Sequence, residues 1–64
     1  MENEVTKTLH NISEQLVEAI YDAEKFEGGN NSAGTRVRKA MQNIKNLAQL
    51  VRLEVQEQKN SVPA

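Results

Sequence analysis

In the stretch GNNSAGTRVRKA, residues 29–40, small and amide residues lead directly into Arg36, Arg38 and Lys39. Lys45 and Arg52 follow, so that Arg38, Lys45 and Arg52 recur every seven residues. On an α-helix that interval places three cations in one line. Guanidinium and ammonium groups in a line can hold the oxygens of successive phosphates. A helix starting near Asn31 would add unpaired backbone amides and the positive end of its dipole beside Arg36 and Arg38. Gly34, in the first turn of that helix, leaves room either for a phosphate to approach the backbone or for Phe26 to pack. The same bases have a purely structural reading, in which they pair with acids of the preceding segment as flanking charges do in coiled coils. With one Phe, one Tyr and no Trp, the chain offers no platform for stacking single-stranded bases. Any nucleic acid would be read through its backbone.

Other chemistry is poorly supported. His10, the only histidine, has Glu14 one turn later, but two residues do not make a metal site. Glu18, Asp22 and Glu24 lack the spacing of a calcium loop. There is no cysteine for a disulfide or a thiolate ligand, and 64 residues leave little interior in which to build a catalytic cleft. The expectation is a protein that is not an enzyme and uses no metal, cofactor or small-molecule substrate.

The elements that would position the bases are helical. Val5, Leu9, Ile12, Leu16, Ala19, Ala23 and Phe26 are separated by alternating steps of four and three, an unbroken heptad seam. Ala33, Val37, Ala40, Met41, Ile44, Leu47, Ala48, Val51 and Val55 fall within one arc of about 120° at about 100° per residue. Between them EGGNNS breaks the chain: Gly28 or Gly29 suits a left-handed helix end, and Asn30, Asn31 or Ser32 can cap the next helix. The spacing predicts one helical-hairpin domain over 1–64, with a helix at 4–27, a turn at 28–31, a helix at 32–59 and a frayed tail at 60–64. Asn3 is a candidate first cap, and Asn11 followed by Glu14 is a competing start. Asn60 and Pro63 are read as the stop.

So short a connection makes the helices antiparallel neighbours, with facing residue numbers summing to about 60. The seam is small for 64 residues, and the hairpin is expected to need a partner. Val17, Tyr21, Leu50 and Leu53 lie off the seam and are the candidate dimer interface. The fold class expected is all-α, an antiparallel hairpin that dimerises into a coiled-coil or four-helix arrangement.

Charge divides the chain. Residues 1–29 carry seven acids against Lys7 and Lys25, while residues 30–64 carry six bases against Glu54 and Glu57, so a net charge of −1 hides halves of −5 and +4. No apolar run is long enough to cross a bilayer, and MENEVTK lacks a signal-peptide pattern, so a soluble cytoplasmic protein is expected.

GNNSAGTRVRKA, with the later LVRLEVQE, resembles the bacterial histone H1-like (chlamydial Hc1-like) nucleoid protein family, whose members carry a Gly-Asn-x-x-Ala-Gly-Thr-Arg-x-Arg-Lys segment. The likeness is most specific over Gly29–Lys39 and covers residues 5–58 more loosely. It implies a small helical, self-associating protein that binds double-stranded DNA with little sequence preference and organises or compacts it in the nucleoid. By position, Asn30, Gly34, Thr35, Arg36, Arg38 and Lys39 fall on the motif, and Lys45 and Arg52 extend the basic side. With about three to five phosphates per protomer, such binding would be weak and salt-dependent. Two other readings stand beside it: a helical interaction or dimerisation module that binds no nucleic acid, and a hairpin dimer that grips folded RNA.

Overall fold

A computed structural model describes residues 4–61. Two helices, α1 (Glu4–Glu27) and α2 (Asn31–Ser61), fold back on one another as an antiparallel hairpin, and no strand occurs among the described residues. Glu4 in the first turn of α1 and Lys25 in its last both complement the helix dipole. The competing start at Asn11 is not used. Asn11 sits inside α1, where its Oδ1 accepts a hydrogen bond from Gln15 Nε2 at 3.1 Å. The candidate cap Asn3 and the stop residue Pro63 lie outside the described residues.

At its far end α2 runs two residues past the expected stop. Asn60 Oδ1 accepts from Gln56 Nε2 at 3.3 Å, and the Ser61 hydroxyl donates to the Gln58 carbonyl at 3.0 Å. An asparagine favours chain breaks when its side chain competes for backbone groups. Here it bonds to a side chain one turn back and the helix continues.

The reversal is a tight one. The Asn30 amide donates to the Lys25 carbonyl and the Gly29 amide to the Phe26 carbonyl, each at 3.0 Å, while Gly29 takes a φ of 111°. This is a Schellman motif, and a residue with a β-carbon would be strained at that φ. Asn30 then caps α2, its Oδ1 accepting from the Ala33 amide at 3.2 Å. One residue thus ends one helix and starts the next.

Beyond the turn, Phe26 lies on Gly34. A β-carbon on Gly34 would fall 2.5 Å from Phe26 Cδ1 and 2.7 Å from Cε1. Of the two readings of Gly34, the structure shows the packing one. The pairing of Phe26 with Gly34, and of Asp22 with Arg36, puts facing numbers at a sum of 58 to 60, close to the expected register.

The seam differs from the expected one in its second column. Val5, Ile12, Ala19 and Phe26 do face α2, and Ala23 of the second column is half-buried as expected, but the other residues beside them are Thr8, Gln15 and Asp22, all buried or half-buried. Leu9 and Leu16, expected in the seam, are 50% and 46% exposed. On α2 the inward columns are Ala33, Ala40, Leu47, Glu54 and Val37, Ile44, Val51, while Met41, Ala48 and Val55 are exposed. Each helix carries an apolar arc wider than one neighbour can cover. The hairpin uses one edge of each arc and leaves the other edge open. Among the described residues, the buried apolar ones are Ala19 and Ala33.

Candidate nucleic-acid interface

The basic residues fall on two sides of the hairpin. Arg36 projects from α2 toward one broad face, where its Nε donates to Asp22 Oδ1 at 3.0 Å. Lys39 borders the same groove, with Glu18, Asp22 and Asn43. Glu4, Glu14, Glu18 and Asp22 occupy one arc of α1 about 80° wide at about 100° per residue, and this face receives it. We call it the polar face. The structural reading of the bases therefore holds for Arg36, and Lys39 stands among the same acids without an ion pair.

Arg38, Lys45 and Arg52 lie on the opposite margin of α2, exposed, and none makes an ion pair with a described carboxylate. Sequence explains why. The residues three and four positions away from each member of the row include no Asp or Glu; they are Gly, Thr, Met, Gln, Ala and Val. The acids of α1 point mainly to the other face. The result is a line of three cations extending about 21 Å at about 1.5 Å per residue. A groove lined by Phe26, Asn31, Gly34, Thr35, Val37 and Arg38 adjoins its turn end.

The motif residues around the turn divide in the same way. Asn30 is committed to capping α2 and Gly34 to receiving the Phe26 ring. Thr35 is exposed just past the first turn of α2, a turn that holds no acidic side chain to oppose an incoming anion. The candidate dimer residues Val17, Tyr21, Leu50 and Leu53 are all exposed. Tyr21 already carries Lys25 Nζ 4.6 Å from its ring centroid, a cation–π contact within α1.

Sequence reasoning passed over Glu54. It is 8% exposed, wedged into the seam at the open end, and its Oε1 has no hydrogen-bond partner. The signal was present: Ala33, Ala40, Leu47 and Glu54 recur at sevens, so Glu54 occupies an inward heptad position.

The described residues form a small all-helical hairpin with a row of exposed cations along one helix and no helix long and apolar enough to cross a membrane. Its sequence matches the family model of the histone H1-like protein Hc1 over residues 6–61, and the chain belongs to that family. No curated protein and no solved structure gives a match.

Proposed function

We propose that this protein binds the backbone of double-stranded DNA through Arg38, Lys45 and Arg52, with little sequence preference, and helps organise or compact DNA in the nucleoid of the cytoplasm. The single observation that carries the proposal is the row itself: three exposed cations in line, beside no described carboxylate close enough to neutralise them. Membership of a histone H1-like family supports the same reading. Thr35 and the first-turn amides of α2 extend the surface toward the turn. Arg36 and Lys39 contribute less, because the acids of α1 compete for them. Asn30 and Gly34 act through the turn they build and not by touching phosphate.

Each phosphate neutralised adds about 0.9 to the slope of log affinity against log salt, so three contacts give a slope near −2.7 and weak binding at physiological salt. Electrophoretic mobility shift titrations on two unrelated duplexes over a salt series test this. Comparable affinity for both duplexes is expected. Arg38→Glu with Arg52→Glu should weaken binding at low salt by more than tenfold, whereas Arg36→Glu should reduce it only modestly. Absence of binding by the wild-type chain at low salt, or binding unmoved by the double reversal, would overturn the proposal.

A further inference from the structure

We propose that the open end of the hairpin binds a linear aliphatic diammonium ion, a polyamine of the putrescine class, in a groove walled by Glu4, Glu54 and Glu57. The groove lies at the end away from the turn, where the start of α1 meets the last turns of α2, and Leu50 and Asn60 also line it. Leu50, Glu54 and Glu57 stand at intervals of four and three, so one apolar side chain and two acids follow one another along the same side of α2.

Glu54 is the residue that calls for a ligand. Its side chain is 8% exposed, and its Oε1 accepts no hydrogen bond. The one ion pair among the described residues, Arg36 with Asp22, lies toward the turn. The nearest bases of α2 cannot swing to Glu54: Arg52 and Lys59 stand about 160° and about 140° round the helix from it, at about 100° per residue. A carboxylate withdrawn from water is costly unless a hydrogen-bonded cation meets its charge. On the seam side Glu54 meets packed helix, whose backbone donors are spent on helical hydrogen bonds, so a cation has to come from the groove. Glu4 and Glu57 make that groove negative and draw cations to it.

The spread of the acids selects the kind of cation. Among the described residues no three acids or histidines converge closely enough to hold a metal ion. A divalent ion requires about six oxygen ligands close around it, whereas an ammonium group needs only acceptors for its three N–H donors. Two ammonium groups joined by a methylene chain can meet acids that stand apart, and the chain between them can lie on Leu50, which is 42% exposed. A single ammonium would leave acids of the groove unmet. No aromatic side chain is among the described lining residues, so an aromatic-caged quaternary ammonium is not the match.

This site shares no residue with the cationic row, and its test uses no nucleic acid, so its outcome is independent of the DNA-binding reading. The whole chain is titrated with putrescine, with butylamine and with magnesium chloride at one fixed ionic strength, and backbone amides are followed by nuclear magnetic resonance. Putrescine should give saturable shifts centred on Glu4 and residues 50–61. Butylamine should bind more weakly by about tenfold or more, the cost of losing one charge-assisted contact, and magnesium should give no saturable shift there. Glu54→Gln, of the same shape without the charge, should weaken putrescine binding by about tenfold or more, and Glu54→Met should do the same while keeping the seam apolar and packed. Absence of saturable shifts with putrescine, equal binding of butylamine, the same shifts with magnesium, shifts centred on Glu18 and Asp22 instead, or wild-type binding by a folded Glu54 variant would each overturn the proposal.

Discussion

The two broad faces of this hairpin are made by the same two helices and differ in almost every respect. On the polar face, α1 supplies Gln15, Glu18 and Asp22, α2 supplies Arg36, Lys39 and Asn43, and the charges meet within the molecule. On the other face, Leu9, Leu16 and Ile20 sit beside Met41, Ala48 and Val55, with a cationic row along the margin that meets no described acid. One face brings bases and acids of the same chain together, with Arg36 held by Asp22. The other leaves apolar side chains and a row of unpaired cations exposed. The comparison shows that net charge says little about partners: at −1 overall, the molecule still presents one strongly basic edge.

The contrast is broken most decisively through the row. Arg38→Glu with Arg52→Glu should lower affinity for duplex DNA by more than tenfold and flatten the salt slope by about 1.8, two phosphate contacts being lost. Arg36→Glu, on the polar face, should cost only a few-fold in the same mobility-shift titration. If the two variants were equally damaging, the two faces would not differ in function.

Stability measurements sharpen it further. Glu54 leaves one buried carboxylate oxygen without a partner, so Glu54→Met, similar in volume and apolar, should stabilise the hairpin by about 1 to 2 kcal/mol in chemical denaturation. Gly34→Ala combines a gain in helix propensity of about 1 kcal/mol with overpacking against Phe26 of about 1 to 3 kcal/mol, so a net loss near 1 kcal/mol is expected. Adding Phe26→Ala should turn the Gly34→Ala effect into a gain, since the three nearest atoms a β-carbon there would meet all belong to that ring. Asp22→Ala should have the smallest effect, about 0.5 kcal/mol, because Arg36 is 49% exposed and its ion pair is solvent-screened. The same change should raise DNA affinity slightly by releasing Arg36.

Much of this was legible in the chain. EGGNNS marks the reversal because only glycine adopts the φ of Gly29 without strain, and Asn30 is a cap by residue type. A heptad seam marks α1, an apolar arc marks α2, and intervals of seven mark the row. The family likeness at GNNSAGTRVRKA is matched by the family model over residues 6–61. Less legible was which edge of each apolar arc would face inward. Leu9 and Leu16 look better suited to a seam than Thr8 and Gln15, yet they are the exposed ones. The continuity of α1 through Asn11, and of α2 through Asn60, also went against local propensity, which helical hydrogen bonding and packing override.

The order of residues by itself determined two amphipathic helices, the place where they reverse, and the alignment of Arg38, Lys45 and Arg52, since all three depend on local geometry and on a period of 3.6. Only the tertiary structure decided how far each helix is rotated about its own axis. That rotation is set by both helices at once, through Phe26 on Gly34 and Asp22 on Arg36. It is what neutralises Arg36, buries Glu54, and turns one apolar, cation-edged face outward.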